Sequence, residues 1–183
     1  MRDLDEMKLA RVVDAAGGID GRVKMQKIVY LLKAMGFDLP FDDFAIRQQG
    51  PYSRAVACSA DLLTGGGFLI ETRKELGEQD AGGRPIVQYS YEVRETFSQF
   101  LREHFEIEAP KGQPALDEIA KELMSKDRKT LEVAATKLYL QREENLSGPE
   151  LSGELMKIKG HLREAFEPAD TLLGDLQKRR LLK

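Results

Sequence analysis

Val23-Lys24-Met25-Gln26-Lys27-Ile28-Val29-Tyr30-Leu31-Leu32-Lys33-Ala34-Met35, closed by Gly36, carries the clearest structural signal in the chain. Met25, Ile28, Val29, Leu32 and Met35 fall at offsets of three, four, seven and ten, which places them on one face of an amphipathic helix. Gly36 follows where a left-handed residue ends a helix. Upstream, Leu4, Met7, Ala10 and Val13 recur every third residue and Gly17-Gly18 supplies a stop, predicting a preceding helix over 4–16.

Downstream the pattern changes period. Phe44, Ile46 and Gln48 alternate as in a short strand, and Gly50-Pro51 follows. Pro51 suits the first turn of a third helix, running through Leu62-Leu63 to Gly65-Gly66-Gly67. Phe68–Arg73 and Ile86–Tyr91 read as strands, the second with Val87, Tyr89, Tyr91 and Val93 alternating against Gln88, Ser90 and Glu92. Gly77 and Asp80-Ala81-Gly82-Gly83 between them make a long hairpin. Phe97, Phe100, Leu101 and Phe105 mark one more helix.

Ala109-Pro110-Lys111-Gly112-Gln113-Pro114 interrupts regular structure and marks a boundary. The expected organisation is a winged-helix-like domain over 1–108, a linker at 109–114 and an all-helical region over 115–183. The fold class is therefore mainly α, α+β, with a β-hairpin wing. Helices are expected near 115–124, 129–141, 148–163 and 168–182. Ser147-Gly148-Pro149-Glu150 reads as a capping box for the third of these, which carries the stripe Leu151, Leu155, Ile158 and Leu162. Leu172, Leu173, Leu176 and Leu181 suggest a packed last helix, within the chain or across a homodimer.

The order helix, helix, strand, helix, hairpin is that of a winged helix. The residues Lys24–Lys33, followed by Gly50-Pro51-Tyr52-Ser53 and then Leu62-Leu63 before the hairpin, resemble the YwgA-like bacterial and archaeal proteins. More distantly they resemble the Panacea antitoxin domain, whose members share a lysine-glutamine-lysine helix and a glycine-proline turn. The resemblance covers residues 8–105 and implies a fold more than a function. It departs from the winged-helix pattern at Tyr91-Glu92-Val93-Arg94-Glu95-Thr96-Phe97, where a threonine and glycine often stand. No family motif matches the C-terminal helices.

Composition bounds the chemistry. The 183 residues carry a net charge of −3, with 14 basic and 18 acidic residues up to Glu108 and 14 and 13 beyond it, so neither part has the strongly basic surface of a non-specific phosphate binder. The acidic start Met1–Glu6 lacks a signal-peptide core and the longest strongly apolar run is Ile28–Leu32, so no membrane segment and a cytoplasmic location are expected. One cysteine, Cys58, forms neither an internal disulfide nor a thiolate metal site, and its helical setting suggests a small buried residue. His104 and His161 lie on different segments, no serine stands in a nucleophile elbow, and Gly65-Gly66-Gly67 lacks the lysine of a phosphate-binding loop. A non-catalytic protein without metal or cofactor is expected.

Two functional readings follow. In the first, DNA is bound through the third helix and wing: Ser53 and Arg54 face outward to position or read the duplex, Arg73, Lys74 and Arg84 hold its backbone, and Lys24 and Lys27 offer a further contact face. Tyr52, Ala55, Val56, Leu62 and Leu63 would point inward, leaving Ala57, Ala60, Asp61 and Thr64 outside. Asp61 and the wing acids Glu71, Glu75, Glu78 and Asp80 oppose this reading by repelling phosphate. In the second, the scaffold is an antitoxin-like module that binds protein. Gly50-Pro51-Tyr52-Ser53 has a sufficient structural explanation in either case: a turn, a helix start and an aromatic anchor.

Overall fold

The computed structural model describes residues 3–79, 82–83 and 85–182, so Arg84 lies outside the described residues. The chain runs α1 (Asp3–Ala16), β1 (Ile19–Asp20), α2 (Arg22–Ala34), β2 (Ala45–Arg47), β3 (Gly50–Tyr52), α3 (Arg54–Gly65), β4 (Leu69–Gln79), β5 (Pro85–Val93) and α4 (Glu95–His104). It continues through α5 (Leu116–Met124), α6 (Arg128–Arg142), α7 (Gly148–Lys159), a 3-10 helix (Gly160–Ala165) and α8 (Phe166–Lys178). The architecture is mainly helical with small antiparallel sheets. Among the described residues no helix is long and apolar enough to cross a membrane.

The expected stops operate as read. Gly18 N–H donates to Val13 O at 3.0 Å and Phe37 N–H to Leu32 O at 3.2 Å, closing α1 and α2 through left-handed Gly17 and Gly36. The long hairpin forms with Leu69 opposite Val93 and Glu71 opposite Tyr91, and β1 adds a third strand by pairing Ile19 with Tyr91. Tyr91 is thereby buried at the centre of the sheet, while most of the hairpin beyond it is exposed.

Two helices are more central than their periodicity indicates. In α1 every residue from Leu9 to Ala16 is buried, because α3, α4, α5 and β5 surround it. In α6 every residue from Thr130 to Thr136 is buried between α2, β3, α7 and α8. Beyond the expected linker, whose Gln113 amide donates to Met35 O at 2.9 Å, α5 packs on α1 and α2. The buried side chains on both sides of 109–114 form one hydrophobic cluster. Leu172, Leu173, Leu176 and Leu181 are buried within this chain, with α8 lying on α6.

Three local expectations are corrected. Pro51 does not start a helix: it sits in β3 opposite Ile46, and α3 begins at Arg54. Ser53 is the cap, its Oγ accepting from Val56 N–H at 3.0 Å. The capping box at Ser147 is not made, since Gly148 enters α7 with φ of +52° and the serine hydroxyl makes no capping bond. The helix expected over 148–163 changes at Gly160 into the 3-10 turn, where Leu162 has φ of −115°, and α8 starts at once from Phe166.

Candidate functional site

The two motifs that carry the resemblance meet in space. The Gln26 side chain of α2 donates to Ser53 O at 2.9 Å and accepts from Ser53 N–H at 2.8 Å, reading the backbone of the β3–α3 junction as a paired strand would. From the next residue of α2, Lys27 Nζ donates to Pro51 O at 2.6 Å. Lys159 of α7 donates to Gln48 O at 2.8 Å, so the turn between β2 and β3 is held by a second lysine from another helix. Gly50, at φ of +88°, lets this turn lie flat on α6, where a Cβ would collide with Thr136 Oγ1.

The corrections to the expected contact residues follow from this arrangement. Lys24 and Lys27 are buried, at 7% and 2% exposure, and are not a wet helix face. Lys24 Nζ caps the C-terminal end of α5 by donating to Met124 O at 2.6 Å, where the helix dipole favours a cation. Burial holds the Lys24 amine below its usual value despite the opposing Asp20 and Asp127 charges. Ser53 is fully buried, and its hydroxyl donates to Asp43 while capping α3. Ala60 is buried with Val56, Ser59 and Leu63, whereas Leu62 and Tyr52 are exposed. Cys58 is exposed as well. The helix is rotated relative to the expected facing because α1, α2 and β4 pack on the side that carries Val56, Ser59, Ala60 and Leu63.

Arg54, Arg73 and Lys74 are exposed as expected. Arg73 is paired with Glu75 at 3.0 Å. Asp61 pairs with Arg22 at 2.6 Å, and the Arg22 Nε donates to the Tyr91 hydroxyl at 2.8 Å, which in turn donates to Glu71 at 2.5 Å. This chain of bonds fixes α2, α3 and the base of the hairpin relative to one another. Burial, together with the bond to Glu71, pushes the Tyr91 hydroxyl up to about 12.

The N-terminus of α3 is occupied. Asp43 accepts from Ala55 N–H at 3.0 Å and from the Ser53 hydroxyl, sitting where a helix end would otherwise hold a phosphate. Partial burial works against this carboxylate, yet the Ser53 and Ala55 bonds hold it below the ordinary range.

Between α2, the β2–β3 turn and α3 lies a cavity of about 210 Å³. Its lining includes the apolar Met25, Val56 and Ala57, the Tyr52 ring, the amides of Gln26, Gln48 and Gln49, and the cations Arg22, Lys27 and Arg47. Burial pushes the Lys27 amine down to about 7; Glu132 opposes this and Lys159 adds to it. Glu132 is itself committed to Lys159, at 2.6 Å, in an ion pair buried on both sides.

A second feature is apolar. Leu62 is 63% exposed, Phe68 42% and Phe100 43%. Phe68 meets Phe97 in a tilted ring contact with centroids 4.7 Å apart, and Phe97 stacks on Phe100 at 6.0 Å. Gly66, the cap of α3 and four residues after Leu62, lies against the Phe68 ring, and Phe68 and Ile70 flank the buried Leu69 at the start of β4.

Sequence reasoning missed Gln26, Asp43, Glu132 and Lys159. For Lys159 a signal existed, since it stands four residues after Leu155 and three before Leu162, on the apolar stripe of its own segment. His104 and His161 are both exposed, and among the described residues no group of three metal-ligating side chains gathers.

No protein-family model matches the chain. It is 28% identical over 174 residues to the uncharacterized protein YwgA of Bacillus subtilis (strain 168), the match spanning 95% of each chain. Similarity on that scale reaches past the motif-bearing half into the C-terminal helices, and it supports a YwgA-like family for this chain, the family to which Lys24–Lys33 and Gly50–Ser53 point.

Proposed function

We propose that this is a non-catalytic regulatory module of winged-helix type that binds a protein through the face formed by α3, the start of β4 and α4. The observation that carries the reading is the set of exposed apolar side chains Leu62, Phe68, Ile70 and Phe100, with Phe68 and Phe100 joined through the Phe97 ring, left exposed where a lone chain gains nothing from them. Aromatic side chains in a cluster of this kind supply most of the energy of a protein contact. The order α1, α2, α3 and hairpin supports the winged-helix reading.

DNA binding has less support. Of the residues expected to contact a duplex, Ser53, Lys24 and Lys27 are buried, and Asp43 fills the phosphate position at the start of α3. Arg54, Arg73 and Lys74 remain exposed, with Glu75 beside Arg73. Such a surface gives little of the counterion release that phosphate binding requires.

The test is affinity purification of the tagged chain from native cells, beside the double variant Leu62→Ser/Phe100→Ser. A stoichiometric protein partner is expected with the unaltered chain and its loss with the variant. Recovery of nucleic acid without a stoichiometric protein would overturn the proposal.

A further inference from the structure

The buried charge beneath the cavity does not balance. Lys27 and Lys159 both lie in the interior with Glu132, and Lys159 takes that carboxylate at 2.6 Å. Lys27 donates one bond to Pro51 O and has no carboxylate in ion-pairing distance among the described residues. Burying an ammonium without a counter-charge is costly. Lys27 nevertheless lines the cavity, and no Asp or Glu does. Arg47, exposed at the rim, holds no ion pair among the described residues, whereas Arg22 is engaged by Asp61 and Glu71. The remaining wall combines apolar surface from Met25, Val56, Ala57 and the Tyr52 ring with the amide side chains of Gln26, Gln48 and Gln49.

We infer that this cavity binds a small organic carboxylate with an apolar body, its charge meeting Lys27 and Arg47 and its body lying against Met25 and Val56. Size agrees with one ring or a short branched chain: a cavity of about 150 Å³ lined by apolar side chains accepts benzene, and this one has about 210 Å³. The site is independent of the apolar docking face, which uses the far side of α3.

The charged and titratable groups around Lys27 are Arg22 on its own helix, Arg47 and Tyr52 on the β2–β3 hairpin, Glu132 on α6, Lys159 on α7 and, through Arg22, Asp61 on α3. Of these the cavity itself presents only cations and the tyrosine ring. An anion in it favours the protonated amine, so affinity is full below the Lys27 value of about 7 and is lost as pH rises above it.

The experiment titrates sodium benzoate into the full chain, followed by amide chemical shifts. Benzamide serves as the neutral isostere and inorganic phosphate as the compact anion. Saturable benzoate binding is expected at pH ~6, with shifts confined to the cavity lining, at least tenfold weaker binding of benzamide and phosphate, and about tenfold loss per pH unit above the amine's value. Lys27→Met should abolish binding; Arg47→Gln, at an exposed position, should keep the fold and weaken binding severalfold. Absence of saturable benzoate binding at ~10 mM, benzamide binding as well as benzoate, tighter binding of phosphate, or an affinity indifferent to pH would each overturn the inference.

Discussion

Replacing Gln26 by Leu removes the side chain that joins the two motifs while nearly conserving volume. The cost is set by what is left behind. Ser53 N–H loses its partner at 2.8 Å and is buried, so it is orphaned. Ser53 O loses the amide at 2.9 Å but keeps Ala57 N–H at 3.3 Å. One orphaned buried donor costs about 1–3 kcal/mol and one lost second bond about 1 kcal/mol, for a total of about 2–4 kcal/mol. Against a total stability of about 5–15 kcal/mol this is a large fraction. In urea, with a slope of about 2–3 kcal/mol per M, the midpoint should fall by ~1–2 M with the slope unchanged. Gln26→Glu provides the control. Its carboxylate keeps an acceptor for Ser53 N–H but faces Ser53 O with no donor, and it is buried. The introduced carboxyl therefore has a folded value raised above its unfolded one, and its contribution is present below the unfolded value and lost as pH rises through the folded one. The variant should be strongly destabilised at neutral pH and recover as pH falls toward ~5. A Leu variant within ~0.5 kcal/mol of the parent would refute the claim that Gln26 holds the β3–α3 junction.

Two further outcomes are expected. Lys159→Met or Glu132→Leu alone strands a buried charge and should cost about 3–5 kcal/mol, while the double variant should recover most of that loss in a thermodynamic cycle. Asp14, buried beside Ser98, Arg102 and Arg11, is pushed up by burial but held below its ordinary value by the Arg102 and Ser98 bonds and by both guanidinium charges. A lowered folded value means stability present above the unfolded value of about 3.9 and lost as pH falls through the folded one. Chemical denaturation between pH ~5 and ~3 should thus show a steeper loss for the parent than for Asp14→Asn; equal slopes would remove Asp14 from the acid-sensitive set.

Much of the fold was legible because it is written in local rules. The periodicity of Met25, Ile28, Val29 and Leu32 specifies α2, and the glycines at 17, 36 and 67 stop helices through conformations other residues avoid. The alternation around Tyr91 specifies β5. The facing of α3 was not legible, because α1, α2 and β4 choose which face is buried, and Pro51 is as compatible with the edge of a two-stranded hairpin as with a helix.

Local patterning in the chain was enough to place most of the helices and the long β4–β5 hairpin, though not β1 or β3, and to suggest the YwgA-like resemblance. Only the tertiary structure decided what those motifs do. Lys24, Gln26 and Lys27 read locally as the polar side of an amphipathic helix, yet α5 and the β3–α3 junction each bring backbone oxygens to that side: Met124 O to Lys24, Ser53 O to Gln26 and Pro51 O to Lys27. Burial is a property of what packs against a helix from elsewhere, and no period within thirteen residues encodes it.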